Sequence, residues 1–75
     1  MVGIFYCGRD FIGISENEET AKRGLYEKYL KENLYFYRNF PWNFTTTEEL
    51  REYYPIEKWW NNAKRIWQIK EVKIF

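Results

Sequence analysis

Histidine is missing from this 75-residue chain, and cysteine, serine and methionine occur once each. Without histidine, the commonest general base and the commonest zinc ligand are gone together. A lone cysteine, Cys7, makes no internal disulfide, which argues against a secreted, cross-linked scaffold. No apolar run approaches the roughly 18 residues of a membrane helix. The opening Met-Val-Gly-Ile lacks the basic stretch and long apolar core of a signal peptide. Charge of one sign is lacking too: 12 Lys and Arg stand against 11 Asp and Glu, a net charge of +1. Bulk charge therefore recruits neither nucleic acid nor a basic partner. A soluble, cytoplasmic protein without metal, cofactor or membrane association is expected.

Catalysis needs a poised acid, base or nucleophile, and the inventory is thin. Ser15 reads as a helix cap, and Glu48, Glu49 and Glu52 gather at a helix start, where capping and the helix dipole explain them. No Walker loop, Rossmann glycine fingerprint, CxxC pair or EF-hand pattern occurs. No catalytic residue is expected, and an enzyme is not the favoured reading.

What the chain does hold is aromatic rings: 4 Trp, 7 Tyr and 6 Phe, 23% of all residues. Most must serve the core of so small a domain, since each buries roughly 150–250 Å². Seventeen rings are more than it hides, so some must reach the surface, where a contiguous set marks an interface. At this length residues 1–75 form a single domain.

Residues 2–7 and 11–15 read as a β-hairpin, with Gly8-Arg9-Asp10 as turn and Gly8 as the source of positive φ. Gly3 and Gly13 interrupt the strands, as where another group approaches closely, and Cys7 is expected to be buried. The strands are apolar at nearly every position, which predicts cover on both faces or a face that meets a partner. Ser15 with Glu18, and Asn17 with the glutamates after it, are overlapping cap signals for a helix over 17–33. Its inner stripe is Ala21, Leu25 and Tyr29, flanked by Tyr26 and Leu30, with Gly24 on the edge allowing close approach to the sheet.

Residues 34–44 hold six aromatics in eleven positions, and Asn39 and Pro41 break any regular pattern there. Such a segment either folds back on the domain or meets another molecule. Tyr35, Tyr37, Phe40 and Trp42, with Arg38 as polar companion, are the candidate protein-binding residues, because Tyr, Trp and Arg dominate interface hot spots. Thr45 or Thr46, three residues before Glu48 or Glu49, opens a second helix. Pro55 then breaks it or starts a third, over 55–64, with Ile56, Trp59, Trp60 and Ala63 at helical spacing. The last ten residues read as a strand, with Val72 and Ile74 on one face and Trp67 and Ile69 on the other parity. The order is β-β-α-α-α-β: an α+β domain whose small three-stranded antiparallel sheet carries helices packed on it.

Residues 56–75 carry five cations against two carboxylates among three tryptophans. Lys58, Trp59, Lys64, Arg65 and Trp67 are therefore an alternative, single-stranded nucleic-acid-binding set, with bases stacking on the rings. The opposing reading puts the tryptophans in the core and the lysines in water.

The stretch Phe11-Ile12-Gly13-Ile14-Ser15-Glu16-Asn17-Glu18-Glu19-Thr20-Ala21-Lys22, closed by Ile69-Lys70-Glu71-Val72, resembles small uncharacterised hairpin-helix-strand proteins of Gram-positive bacteria and their phages. An extra residue separates Ser15 from the Glu pair, and the aromatic segment lies outside the resemblance. The motifs are structural, so no catalytic residues carry over. The resemblance implies a protein that binds and inhibits a host protein, in the host cytoplasm if phage-encoded. A non-enzymatic protein-binding module is thus the leading expectation, ahead of nucleic-acid binding and a homo-oligomeric accessory protein.

Overall fold

The computed structural model describes residues 1–73. Six elements follow one another: β1 (Val2–Tyr6), β2 (Asp10–Ser15), α1 (Glu18–Tyr37), α2 (Thr47–Tyr53), α3 (Ile56–Ala63) and β3 (Trp67–Glu71). The sheet has the order β2-β1-β3 and is antiparallel throughout, so the expected α+β order and sheet are both present.

The hairpin turns through Cys7 (φ 54°) and Gly8 (φ 71°), with the Arg9 amide donating to the Tyr6 carbonyl at 3.1 Å. Gly8 plays its expected part. Cys7 does not: β1 already ends at Tyr6, and the left-handed turn lifts the thiol off the pleat into solvent instead of burying it.

Ile4 opposes Gly13 whereas Phe5 opposes Phe11, which makes Ile12 the extra residue of a β-bulge. Phe11 and Ile14, three apart, thereby share the face of Phe5 and Gly3, and Asp10, Gly13 and Ser15 share the other. That second face carries the half-buried Ile4, Ile69 and Trp67, with Trp67 packed on the helical core. The first face is open to solvent. On it the Phe5 and Phe11 rings meet edge-on at 5.6 Å, and Lys70 Nζ lies 5.6 Å over Phe5. A Cβ on Gly3 would sit 3.0 Å from both the Phe5 ring and Val72 Cγ1, so this glycine does permit close approach. Gly13 and Gly24 do not act so, for nothing lies within 4 Å of where their Cβ would be. The terminal strand stops at Glu71, Val72 donates its amide to the Met1 carbonyl, and Ile74 lies outside the described residues.

Asn17 wins among the overlapping cap signals: its side-chain oxygen accepts the Thr20 amide at 2.8 Å, while Ser15 ends β2. The inward side of α1 centres on Ala21, Tyr26 and Leu30, leaving Leu25 and Tyr29 half-buried. The helix runs to Tyr37 and not to 33, because half-buried Leu34 and Tyr37 continue that stripe. Asn39 closes the end, its side-chain amide donating to the Phe36 carbonyl at 3.2 Å. On α2, Thr46 Oγ1 accepts the Glu49 amide at 3.3 Å, and the Thr45 hydroxyl donates to the Glu49 carboxylate at 2.8 Å. The Thr45 hydroxyl is the main reason that this carboxyl is held below its usual range. Pro55, in extended conformation, caps α3.

The core is where the three helices meet: Tyr26, Leu30, Leu50, Trp59 and Ala63. Tyr26 donates its hydroxyl to the Tyr54 carbonyl at 2.6 Å, fixing α1 to the α2–α3 junction. Outside it, the Arg51 guanidinium grips the Glu27 carboxylate with two hydrogen bonds. No helix among the described residues is long and apolar enough to cross a membrane.

Leu30→Ala, at a fully enclosed site, should lower the unfolding free energy in denaturant titration by about 2–5 kcal/mol. A loss below about 1 kcal/mol would misplace the core. The Glu27 carboxyl is held below its ordinary range, chiefly by the hydrogen bonds from Arg51. Its folded pKa being lowered, the stabilisation is whole above the unfolded value near about 4.3 and fades as pH falls through the folded one. Both side chains are over a third exposed, so water screens the pair to about 0.5 kcal/mol. Arg51→Gln should therefore shrink the drop in Tm between neutral and acid pH, and an unaltered drop would make the clamp idle.

Candidate functional site

The last turn of α1 and the segment after it build an aromatic end. The Arg38 amide donates to Leu34, the Trp42 and Asn43 amides both donate to Asn39, and the Phe44 amide returns to the Tyr37 carbonyl at 2.8 Å. Asn43 takes a left-handed φ of 55°, a conformation that its short polar side chain tolerates. The segment is therefore a hydrogen-bonded turn that folds back on the helix.

Tyr37 is its hub. Its ring lies 5.0 Å from Trp42, 5.3 Å from Phe36, 6.0 Å from Tyr53 and 6.1 Å from Phe44, the last pair stacked. Edge and tilted pairs of this kind contribute roughly 0.5–1.5 kcal/mol each beyond buried area. Tyr37 and Trp42, expected at the contact surface, are half-buried and serve mainly to pack the turn. Tyr35 is 77% exposed and Phe40 86%, and neither joins any ring pair among the described residues. Arg38, between them in sequence, is exposed as well. Phe36 and Tyr53 are also largely exposed and belong to the same end. Sequence reasoning passed over both: Phe36 lay in the flagged segment without being singled out, and Tyr53 comes from α2, outside that segment.

The basic, tryptophan-bearing set is taken apart by the fold. Trp59 is 5% exposed and tilts against Tyr26 at 5.4 Å and Tyr29 at 6.0 Å. Trp67 is half-buried, edge-on to Tyr6 at 5.1 Å. Lys58, Lys64 and Arg65 point the other way, into water, with Lys58 Nζ 5.9 Å over the Tyr54 ring. A stacking platform needs ring faces free beside the cations. On α3, helix amphipathicity has turned Trp59 into the core and left Lys58 exposed, which corrects Trp59 as a base-stacking residue.

One cleft, of about 240 Å³, opens between α1, α3 and β3, lined by Tyr29, Tyr54, Trp59, Asn62, Ile66 and Trp67. Burial, then the Tyr37 hydroxyl 3.5 Å away, raises the Tyr29 phenol and keeps it neutral. A neutral phenol there donates hydrogen bonds and has no carboxylate partner in the lining. Among the described residues no group of three His, Cys, Asp or Glu is placed to hold a metal ion. No known family model, curated protein or solved structure matches the chain.

Trp59→Ala should cost about 3–5 kcal/mol of stability as a core truncation. Oligonucleotide titration at low salt should give no binding. A log–log salt slope near about −4, for five neutralised phosphates, would restore the nucleic-acid reading.

Proposed function

We propose that this chain is a non-enzymatic protein-binding module, an inhibitor of a host protein encoded by a phage or mobile element, that uses its aromatic end as contact surface. The observation that carries the reading is the exposure of Tyr35 and Phe40 above a packed scaffold of rings. Two rings that add nothing visible to the core still cost water contact, whereas against a partner they bury large area at low entropy. Tyr37, Trp42 and Phe44 fix the turn beneath them, so little ordering remains to be done on binding. Arg38 offers a forked donor beside the rings. The choice of a host protein as target, and of the host cytoplasm as its place of action, rests on the resemblance of residues 11–22 and 69–72 to small proteins of Gram-positive bacteria and phages.

Affinity capture from a Gram-positive lysate tests this. The wild-type chain should retain one stoichiometric protein, and Tyr35→Ala with Phe40→Ala should weaken that complex by roughly 2 kcal/mol or more, about thirtyfold. The melting temperature should stay within a few degrees, because neither ring is enclosed. Full retention by the double variant would remove the aromatic end from the interface.

A further inference from the structure

The sheet ends on one side at β2, whose outer main-chain groups find no partner among the described residues. Proteins blunt such edges with charges, prolines, bulges or cover, and of these β2 carries only the bulge at Ile12 between Phe11 and Ile14. The opposite edge strand, β3, presents exposed Gln68, Lys70 and Glu71. From Phe11 to Ile14, β2 has no charge at all: Phe11 is 56% exposed, Ile12 and Ile14 about as much, and Gly13 lies between.

We propose that β2 pairs antiparallel with β2 of a second copy of this chain, about a two-fold axis between Ile12 and Gly13. The register is self-complementary because of the bulge. In a regular strand residues three apart lie on opposite faces, yet here Phe11 and Ile14 share one face, while Asp10 and Ser15 share the other. Pairing about that midpoint sets Phe11 against Ile14 and Asp10 against Ser15, so the partners of both these pairs lie on a common face, as an isologous contact requires. Ile12 then opposes Gly13, which has open space around it.

Charge completes the match. Arg9 and Glu16 flank the strand, both are exposed, and neither takes part in a salt bridge among the described residues. The same register brings Arg9 of each copy beside Glu16 of the other, giving two ion pairs per dimer. The joined sheet has six strands, and the Phe5–Phe11 cluster of each copy continues into the Ile14 of its neighbour. Three half-exposed apolar chains offer on the order of 300 Å² per copy, below a standard interface. An interface of that size belongs to the weak, transient class.

Sedimentation equilibrium from about 10 µM to about 1 mM reads the association directly. Arg9→Glu alone and Glu16→Arg alone should each raise the dissociation constant about tenfold, since like charges then meet twice per dimer. Combined in one chain they recreate both pairs with reversed sign and should restore it to within about twofold. Both positions are exposed, and circular dichroism checks that the fold is kept. A wild-type chain that stays monomeric at about 1 mM overturns the proposal. So do single reversals without effect, or a double reversal as weak as the singles.

Discussion

The hydroxyl of Tyr26, held 2.6 Å from the Tyr54 carbonyl, ties the longest helix to the junction between the two short ones. Leu30, Leu50 and Trp59 close around it. A helix of seven or eight residues has no stability of its own in water, so α2 and α3 exist because α1 offers them a surface. The sheet hangs on the same helix, which touches all three strands. Burial makes the Tyr26 phenol harder to ionise, and the neutral form is the one that donates. Loss of this anchor would leave the Tyr54 carbonyl unpaired and loosen two helices at once.

A core centred on one helix cannot enclose everything apolar around it. The chain extends 48 Å along its long axis against 20 and 18 Å across, a shape with much surface for its volume. The most exposed rings and aliphatic chains accordingly gather at the aromatic end beyond the last turn of α1 and on the open face and edge of the hairpin, with Tyr6 and Ile66 exposed outside both. The chain covers some of its own rings with cations, Lys22 Nζ lying 5.0 Å over Trp60 and Lys70 Nζ 5.6 Å over Phe5 on the open face. Tyr35 and Phe40 have no such cover among the described residues.

Features decided within a few residues were legible in the sequence. The Asn17 cap, the Thr46–Glu49 box, the Gly8 turn and the strand at Trp67 all depend on neighbours in the chain. The end of α1 was not legible. Asn39 and Pro41 mark a break locally, but the helix runs on to Tyr37, whose ring packs against Tyr53 and the core from elsewhere in the chain. Gly24 shows the converse error, since a glycine beside an apolar stripe resembles a close approach until the neighbour proves absent. The division of the aromatic segment into scaffold and exposed rings depends on Tyr53 from α2, which local pattern does not contain. Whether Trp59 faced water or core was equally a tertiary question, and the core took it.

The two apolar surfaces draw on different side chains and sit at opposite ends of α1. β2 enters at Glu18 and the aromatic turn leaves after Tyr37, a helix of 20 residues and about 30 Å apart. Pairing through β2 would therefore leave both aromatic ends free and carry them on one rigid body. A target with two copies of its own contact site would then meet the second end intramolecularly, at an effective concentration set by how well its site spacing matches the distance between the two aromatic ends. Weak self-association suits such an arrangement, because the target would supply the free energy that holds the two copies together. Linkage runs both ways: a dimeric target would tighten the β2 pairing by the same factor that the pairing tightens target binding.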